Sequence, residues 1–167
     1  MRLDTERLVI RSFVPDDADA LHERVFSLPE AMRFIPKGAV TDVERTRRSV
    51  QRYIEHEATH GFSLWAVLDR ATGEFIGSCG LVHVEGKGPE VELAYHFTPD
   101  RWGQGYATEA ARASLAYGFG EAGLERIIAI CAPEHHASRR VMEKCGMTLV
   151  GPCRYYDMDL VKYELRA

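Results

Sequence analysis

Long apolar runs, an excess of basic charge, a cysteine framework and low-complexity tracts are all missing from these 167 residues, and each absence closes off a class of protein. No stretch approaches the roughly 18 consecutive apolar residues of a membrane span, and the opening Met1-Arg2-Leu3-Asp4-Thr5-Glu6-Arg7 lacks the apolar run of a secretory signal. A cytoplasmic protein with no membrane partner is expected. The formal net charge is −4, with both signs mixed along the chain. A nucleic-acid binder shows a basic face or stripe instead, so nucleic acid is not an expected partner. Cys79, Cys131, Cys145 and Cys153 have no metal-binding or redox spacing, and none has a histidine placed to activate it, so they read as buried thiols. Adjacent His135 and His136 lack further ligands at zinc spacing, and no metal is expected.

What is present is an ordinary globular composition, 46% apolar and 28% charged, on a chain long enough to bury a core without staples. A single domain over residues 1–167 is expected. A strand around Arg7–Arg11 leads to Pro15-Asp16-Asp17, a helix start followed by Ala18, Leu21, Val25 and Leu28 at helical spacing. A second helix follows Thr41-Asp42, with Val43, Val50, Tyr53 and Ile54 on one face. Residues 63–68 and 75–82 read as an antiparallel pair, and residues 90–97 as a third strand. In that strand Val91, Leu93, Tyr95 and Phe97 alternate with Glu92, Ala94 and His96, so Glu92 and His96 share a face.

A helix with Ala107, Ala110, Ala111, Ser114, Leu115 and Gly118 on one stripe is narrow enough to lie close to a sheet, and Gly123 is its expected end. The β-branched run Ile127–Ala132 reads as a buried strand. Strand, crossover helix and buried strand together predict a parallel step inside an otherwise antiparallel sheet. A last helix from about His136 to Cys145 and two closing strands, 147–150 and 158–165, complete an α/β (α+β) fold with four helices flanking a mixed sheet.

Two segments carry chemistry. In Trp102-Gly103-Gln104-Gly105-Tyr106-Ala107-Thr108 a strand hands over to a helix through flexible backbone. Free N–H groups and the positive end of a helix dipole there suit an anion, with a plain tight turn as the alternative. Neither a P-loop nor a dinucleotide fingerprint fits, because Gly-Lys-Ser/Thr is missing and Thr108 stands at the third glycine position. Arg139 and Arg140 lie in the first turn of the last helix, where the dipole disfavours cations; a bound anion or full solvation answers that conflict.

Glu92 to Phe97 and Trp102 to Ala110, with Ala137-Ser138, Val141 and Glu143-Lys144-Cys145-Gly146-Met147, resemble the two signature lines of the GNAT acetyltransferase superfamily, in the branch of the ribosomal-protein N-terminal acetyltransferases. Thr5–Arg11 and Phe75-Ile76-Gly77 are also similar, so the likeness runs over nearly the whole chain. Ala94 replaces a usual glycine, and His135 replaces the asparagine usual before Ala-Ser.

The resemblance implies a central parallel strand pair splayed to admit acetyl-CoA, with the pantetheine arm bonding backbone around Phe97 and Thr98. It further implies a pyrophosphate over Gly103, Gln104, Gly105, Tyr106 and Ala107, and further cofactor contacts from Trp102, Thr108, His135, Ser138, Arg139 and Lys144. Acetyl would pass directly to an amine. That amine must lose a proton, since an α-amine has a pKa of about 8 and a lysine about 10.4. Glu92 is the implied base with His96 as its rival, and Ser138 is the implied hydroxyl at the departing sulfur, a helix cap being its other reading. The acceptor is a protein N-terminus or a small-molecule amine, and a homodimer is left open. A non-catalytic acyl-CoA sensor and a nucleotide-binding regulatory domain are the competing functions.

Overall fold

The structure is a computed structural model describing residues 1–167. Its strands are β1 (Arg2–Asp4), β2 (Leu8–Arg11), β3 (Leu64–Asp69), β4 (Phe75–His83), β5 (Val91–Phe97), β6 (Arg126–Cys131), β7 (Thr148–Tyr155) and β8 (Met158–Arg166). Its helices are α1 (Asp17–Leu21), α2 (Val43–His60), α3 (Tyr106–Gly120) and α4 (His136–Lys144). All eight strands join one sheet in the order β1-β2-β3-β4-β5-β6-β8-β7. Every neighbouring pair is antiparallel except β5 and β6, which run parallel. This is the mixed sheet with one parallel pair and four helices expected from the sequence.

Alternation along the central strands sorts side chains onto two helical layers. From β3, Trp65 and Val67 enter a core with Leu81, Leu93, Phe97, Ala110, Leu115, Ile127 and Met142, under α3 and α4. Leu64 and Ala66 face the other way and pack with Phe13, Leu21, Val25, Phe26 and Val50, under α1 and α2. The small stripe of α3 works as anticipated: a Cβ on Gly118 would stand 2.6 Å from a Leu81 methyl and 2.7 Å from an Ile127 methyl. The helix backbone therefore rests almost directly on the sheet.

Three details depart from the sequence reading. The triplet Arg2–Asp4, too short to read as a strand, forms an edge strand paired to β2, with Leu3 turned inward against the core. Helix α1 widens into a π-helical turn over His22–Phe26. Helix α3 stops at Gly120 rather than at Gly123, and Leu124 N–H closes back on Gly118 C=O at 2.9 Å. No helix is long and apolar enough to cross a membrane.

Candidate active site

Strands β5 and β6 share a single register pair, Glu92 with Ile128, and then part. Thr98 N–H donates to Ile76 C=O at 3.0 Å. By the alternation of an antiparallel ladder, residues 92, 94 and 96 also bond back to β4. The backbone of Leu93, Tyr95 and Phe97 is thus turned toward β6. Beyond the one shared pair β6 is too far to meet it, leaving the Tyr95 N–H and C=O and the Phe97 N–H facing a gap. Phe97 C=O is taken by the Trp102 indole N–H at 2.9 Å.

At one end of the gap lies the loop from Trp102 into α3. Gly103 and Gly105 adopt φ of 72° and 84°, a region that side chains with a Cβ avoid. The first backbone bond of α3 runs from Glu109 N–H to Gly105 C=O at 3.0 Å, and the N–H groups of Gly103 through Thr108 have no partner in the protein. Six consecutive donors beside a helix N-terminus form a cradle for an anion.

The loop is braced from a distant part of the chain. Arg7 donates from Nε to Glu109 Oε2 at 2.7 Å and from Nη1 to Gln104 C=O at 2.9 Å, while its guanidinium lies 4.4 Å from the Tyr106 ring centre. Thr5 Oγ1 and Arg7 N–H both donate to Glu109 Oε1. Burial opposes ionisation of Glu109, but these bonds outweigh it and hold the carboxyl below its ordinary range. The sequence reading missed both Arg7 and Glu109, although each stands inside a segment it quoted.

Across the gap, α4 brings Ser138 to the sheet. Ser138 is buried; its Oγ lies 2.8 Å from the Tyr95 hydroxyl, which donates to Ser138 C=O at 3.0 Å. With the phenol proton directed to that carbonyl, the serine O–H points at the Tyr95 oxygen. Burial raises the Tyr95 phenol above its usual value, so it stays protonated. Tyr95 was read only as a core position. His135 stands at the N-cap of α4 and stacks on Phe34 with ring centres 4.3 Å apart, and burial lowers its imidazole pKa.

Two expected cofactor contacts are used elsewhere. Besides its N–H, Thr98 commits its hydroxyl to Asp100 and its carbonyl to Arg101 N–H, leaving it to shape the turn. Arg139 leans toward β8, donating to the Tyr163 hydroxyl at 3.0 Å and to Pro133 C=O at 3.2 Å. It is Arg140 and Lys144, one helical turn apart, that line the cleft.

Glu92 lies on the opposite face of β5, toward α2, and is 7% exposed. Tyr156, in the β7–β8 turn, donates to its Oε1 at 2.6 Å. The turn is fixed by reciprocal bonds: Glu85 N–H donates to the Tyr156 hydroxyl at 2.9 Å, and Tyr156 N–H to Glu85 Oε1 at 2.7 Å. Burial drives the Glu92 pKa up to about 7, against the pull of the tyrosine bond. His96 shares the face as anticipated, packed edge-on against Phe26, and burial pushes its imidazole down to about 4. Tyr155 bonds Glu90, away from Glu92. Of the four free thiols, Cys79 and Cys131 are buried as expected while Cys145 and Cys153 are half-buried; burial raises all four, to about 12 at Cys79 and about 11 at Cys131, which disfavours the thiolate.

One cleft of about 1500 Å³ joins these parts, reaching from Gly103 and Ser138 to Tyr53, Glu92 and Tyr156. A family model described as an acetyltransferase (GNAT) domain matches residues 7–148. The uncharacterized protein YkkB of Bacillus subtilis is 35% identical over 99% of this chain and 96% of its own. Three further relatives from Bacillus, 29–34% identical, are named N-acetyltransferases. The crystal structure of a GNAT-family acetyltransferase from Bacillus anthracis superimposes with a TM-score of 0.84 at 34% identity, covering 99% of this chain and 98% of that one. A ribosomal L7/L12 α-N-protein acetyltransferase, RimL, solved with coenzyme A, shares the fold with a TM-score of 0.81 at 18% identity, covering 99% and 98%. The chain belongs to the GNAT family and is an acetyl-CoA-dependent N-acetyltransferase.

Proposed function

We propose that this acetyltransferase passes the acetyl group of acetyl-CoA in one step to a primary amine, with Glu92 as the base and the Ser138–Tyr95 hydroxyl pair at the departing sulfur. The observation that carries the reading is the divided site: a gap in the sheet with Ser138 and Tyr95 on one face and Glu92 on the other. Acetyl-CoA entering from the α3–α4 side lays its pyrophosphate on the N–H groups of Gly103–Thr108. Arg140 and Lys144 supply cationic contact at the rim, and His135, stacked on Phe34, lines the same cleft. Its pantetheine amides meet the free backbone of Tyr95 and Phe97, and the thioester reaches an acceptor lying under α2.

There the amine nitrogen attacks the thioester carbonyl carbon, the C–N bond forms and the C–S bond breaks. The nitrogen's proton goes to Glu92, directly or through water. The departing thiolate is stabilised by a hydrogen bond from the hydroxyl pair, for which the serine O–H is the mobile donor, and takes its proton from solvent as free CoA leaves, so both hydroxyls keep their protons. A base with a pKa of about 7 is matched to neutral pH, whereas an imidazole at about 4 takes a proton from an ammonium only steeply uphill. Tyr156 is a positioning residue, aiming the carboxylate.

The acceptor is a small-molecule amine or a protein N-terminus. A panel of polyamines, amino acids, aminoglycosides and N-terminal peptides, read by mass spectrometry, is expected to give one acetyl per acceptor amine in one class, with equal release of free CoA. Tight acetyl-CoA binding with no acetylated product from any class would make the chain a sensor instead. Thermal stabilisation by ATP or NAD but not by acetyl-CoA would favour the nucleotide-binding reading.

A further inference from the structure

Away from the splayed strands, the folded chain gathers three histidines that lie far apart in sequence. His56 and His60 stand four residues apart on α2, hence on one face of the helix, and His83 ends β4. One ligand nitrogen from each falls within 4.8 Å of the others, and the ring centres are 4.6–5.1 Å apart. The geometry points to a divalent transition-metal site, of the zinc type, built from His56, His60 and His83.

The hydrogen bonds favour this assignment over a chance cluster. His56 Nδ1 lies 2.8 Å from the Phe62 carbonyl, which can only accept, so Nδ1 carries the proton and Nε2 presents its lone pair. That lone pair accepts a hydrogen bond from His83 Nδ1 at 3.0 Å, so the two rings already face each other, and an ion entering between them takes the place of that one proton. A ligand imidazole oriented through its other nitrogen by a backbone carbonyl is the usual support for a metal-binding histidine. The Phe62 ring packs against all three imidazoles and shields one side.

Tetrahedral zinc with Zn–N of about 2.0–2.1 Å needs ligand nitrogens about 3.3 Å apart. The His56–His83 pair is within a few tenths of that, and His60, exposed, can swing its ring inward. Three imidazoles leave a fourth position for water, and nitrogen donors select zinc, copper or nickel over magnesium and calcium. The site also has a structural consequence. His83 pairs with Val91, and Val82 with Glu92, so an ion here clamps the last turn of α2 to the strand pair that carries Glu92. His56 and His83 line the acceptor end of the cleft.

The test uses the full chain, free of any affinity tag and stripped by a chelator. Zinc chloride is titrated in competition with a chromophoric chelator, and cobalt chloride is followed by its visible spectrum. One ion per chain is expected, with d–d bands of a four-coordinate nitrogen site and a raised melting temperature. His60→Gln and His83→Gln are each expected to weaken binding at least about 100-fold and abolish the thermal shift, while His22→Gln leaves both unchanged. Because His60 is exposed, its variant remains folded and keeps the comparison decisive. Binding that survives in His60→Gln, substoichiometric binding, or a sulfur-to-cobalt charge-transfer band would overturn the site.

Discussion

At Glu92 burial pushes the carboxyl toward its neutral form while the Tyr156 hydroxyl favours the anion, and burial wins. Glu92→Gln keeps size and hydrogen bonding but removes the proton acceptor. Turnover should fall by about 100- to 10,000-fold with acetyl-CoA affinity retained, and the residual rate should climb with pH toward the acceptor's own pKa. Steady-state kinetics beside calorimetric titration separates the two quantities; full turnover in Glu92→Gln together with its loss in His96→Gln would hand the role to His96. Tyr156→Phe should act through Glu92, shifting the acidic limb of the kcat/KM profile upward, because a bond that stabilises the anion is lost. Ser138→Ala should reduce turnover and leave that limb in place. Glu92 and Ser138 stood out in the sequence through their motif. Tyr155 and Tyr156 read as a pair that could line the acceptor end, with packing as the alternative, and Tyr95 only as a core position, because a tyrosine at an alternating strand position or beside a turn reads as packing until its hydroxyl is seen to meet a partner.

Among the elements, α4 shows why spacing alone misassigns a helix face. Arg139 and Arg140 are neighbours, so they point about 100° apart, and nothing in the local spacing chooses between them. The packing of Ser138 and Met142 against the sheet decides it, sending Arg139 to Tyr163 and Arg140 to the cleft. Arg140→Ala with Lys144→Ala should therefore weaken CoA more than dephospho-CoA and flatten the salt dependence, while Arg139→Ala changes CoA affinity by less than about twofold. Titrations with both ligands at two ionic strengths check this, and equal losses for the two would return the pair to the solvated surface. Helix α3 offers a companion test. Gly105→Glu places a side chain at φ 84° and a like charge beside six free N–H donors, so most of the acetyl-CoA affinity should be lost in a chain that still folds. The loop was legible in sequence because its glycines mark it. The brace from Arg7 to Glu109 was not, since nothing local says that residues 102 positions apart will meet, and the same blindness hid the histidines of α2 and β4.

For the molecule as a whole, a buried carboxylate is a stability cost with a definite pH window. The folded pKa of Glu92, about 7, lies above its ordinary 4.5. Between these values the folded state binds more protons than the unfolded one, so this residue's contribution to stability is complete below about 4.5 and declines as pH rises through 7. Glu92→Gln should accordingly be more stable than the parent at pH 8, on the order of 3 kcal/mol, with the difference vanishing near pH 4. Denaturant melts at the two pH values test it, and an equal effect at both would deny the raised pKa. The fold class and the parallel step were readable from periodicity. How abruptly the two strands separate was not, because a register limited to one pair depends on the twist of the whole sheet.

That single rung between β5 and β6 makes the sheet two panels on a hinge, one holding β1–β5 and the other β6–β8. Side chains still tie the panels, through the shared core and the bonds from Tyr156 to Glu85 and Glu92, but a cofactor whose amides pair with Tyr95 and Phe97 as proposed would act as a ninth strand and add backbone coupling where the sheet has a single rung. Amide exchange should slow on acetyl-CoA binding not only at the gap but out to Tyr163 and Leu165 on β8, which never touch the ligand. A molecule stiffened by its own substrate and loosened by losing the product has, in that difference, a mechanical signal of whether it is loaded.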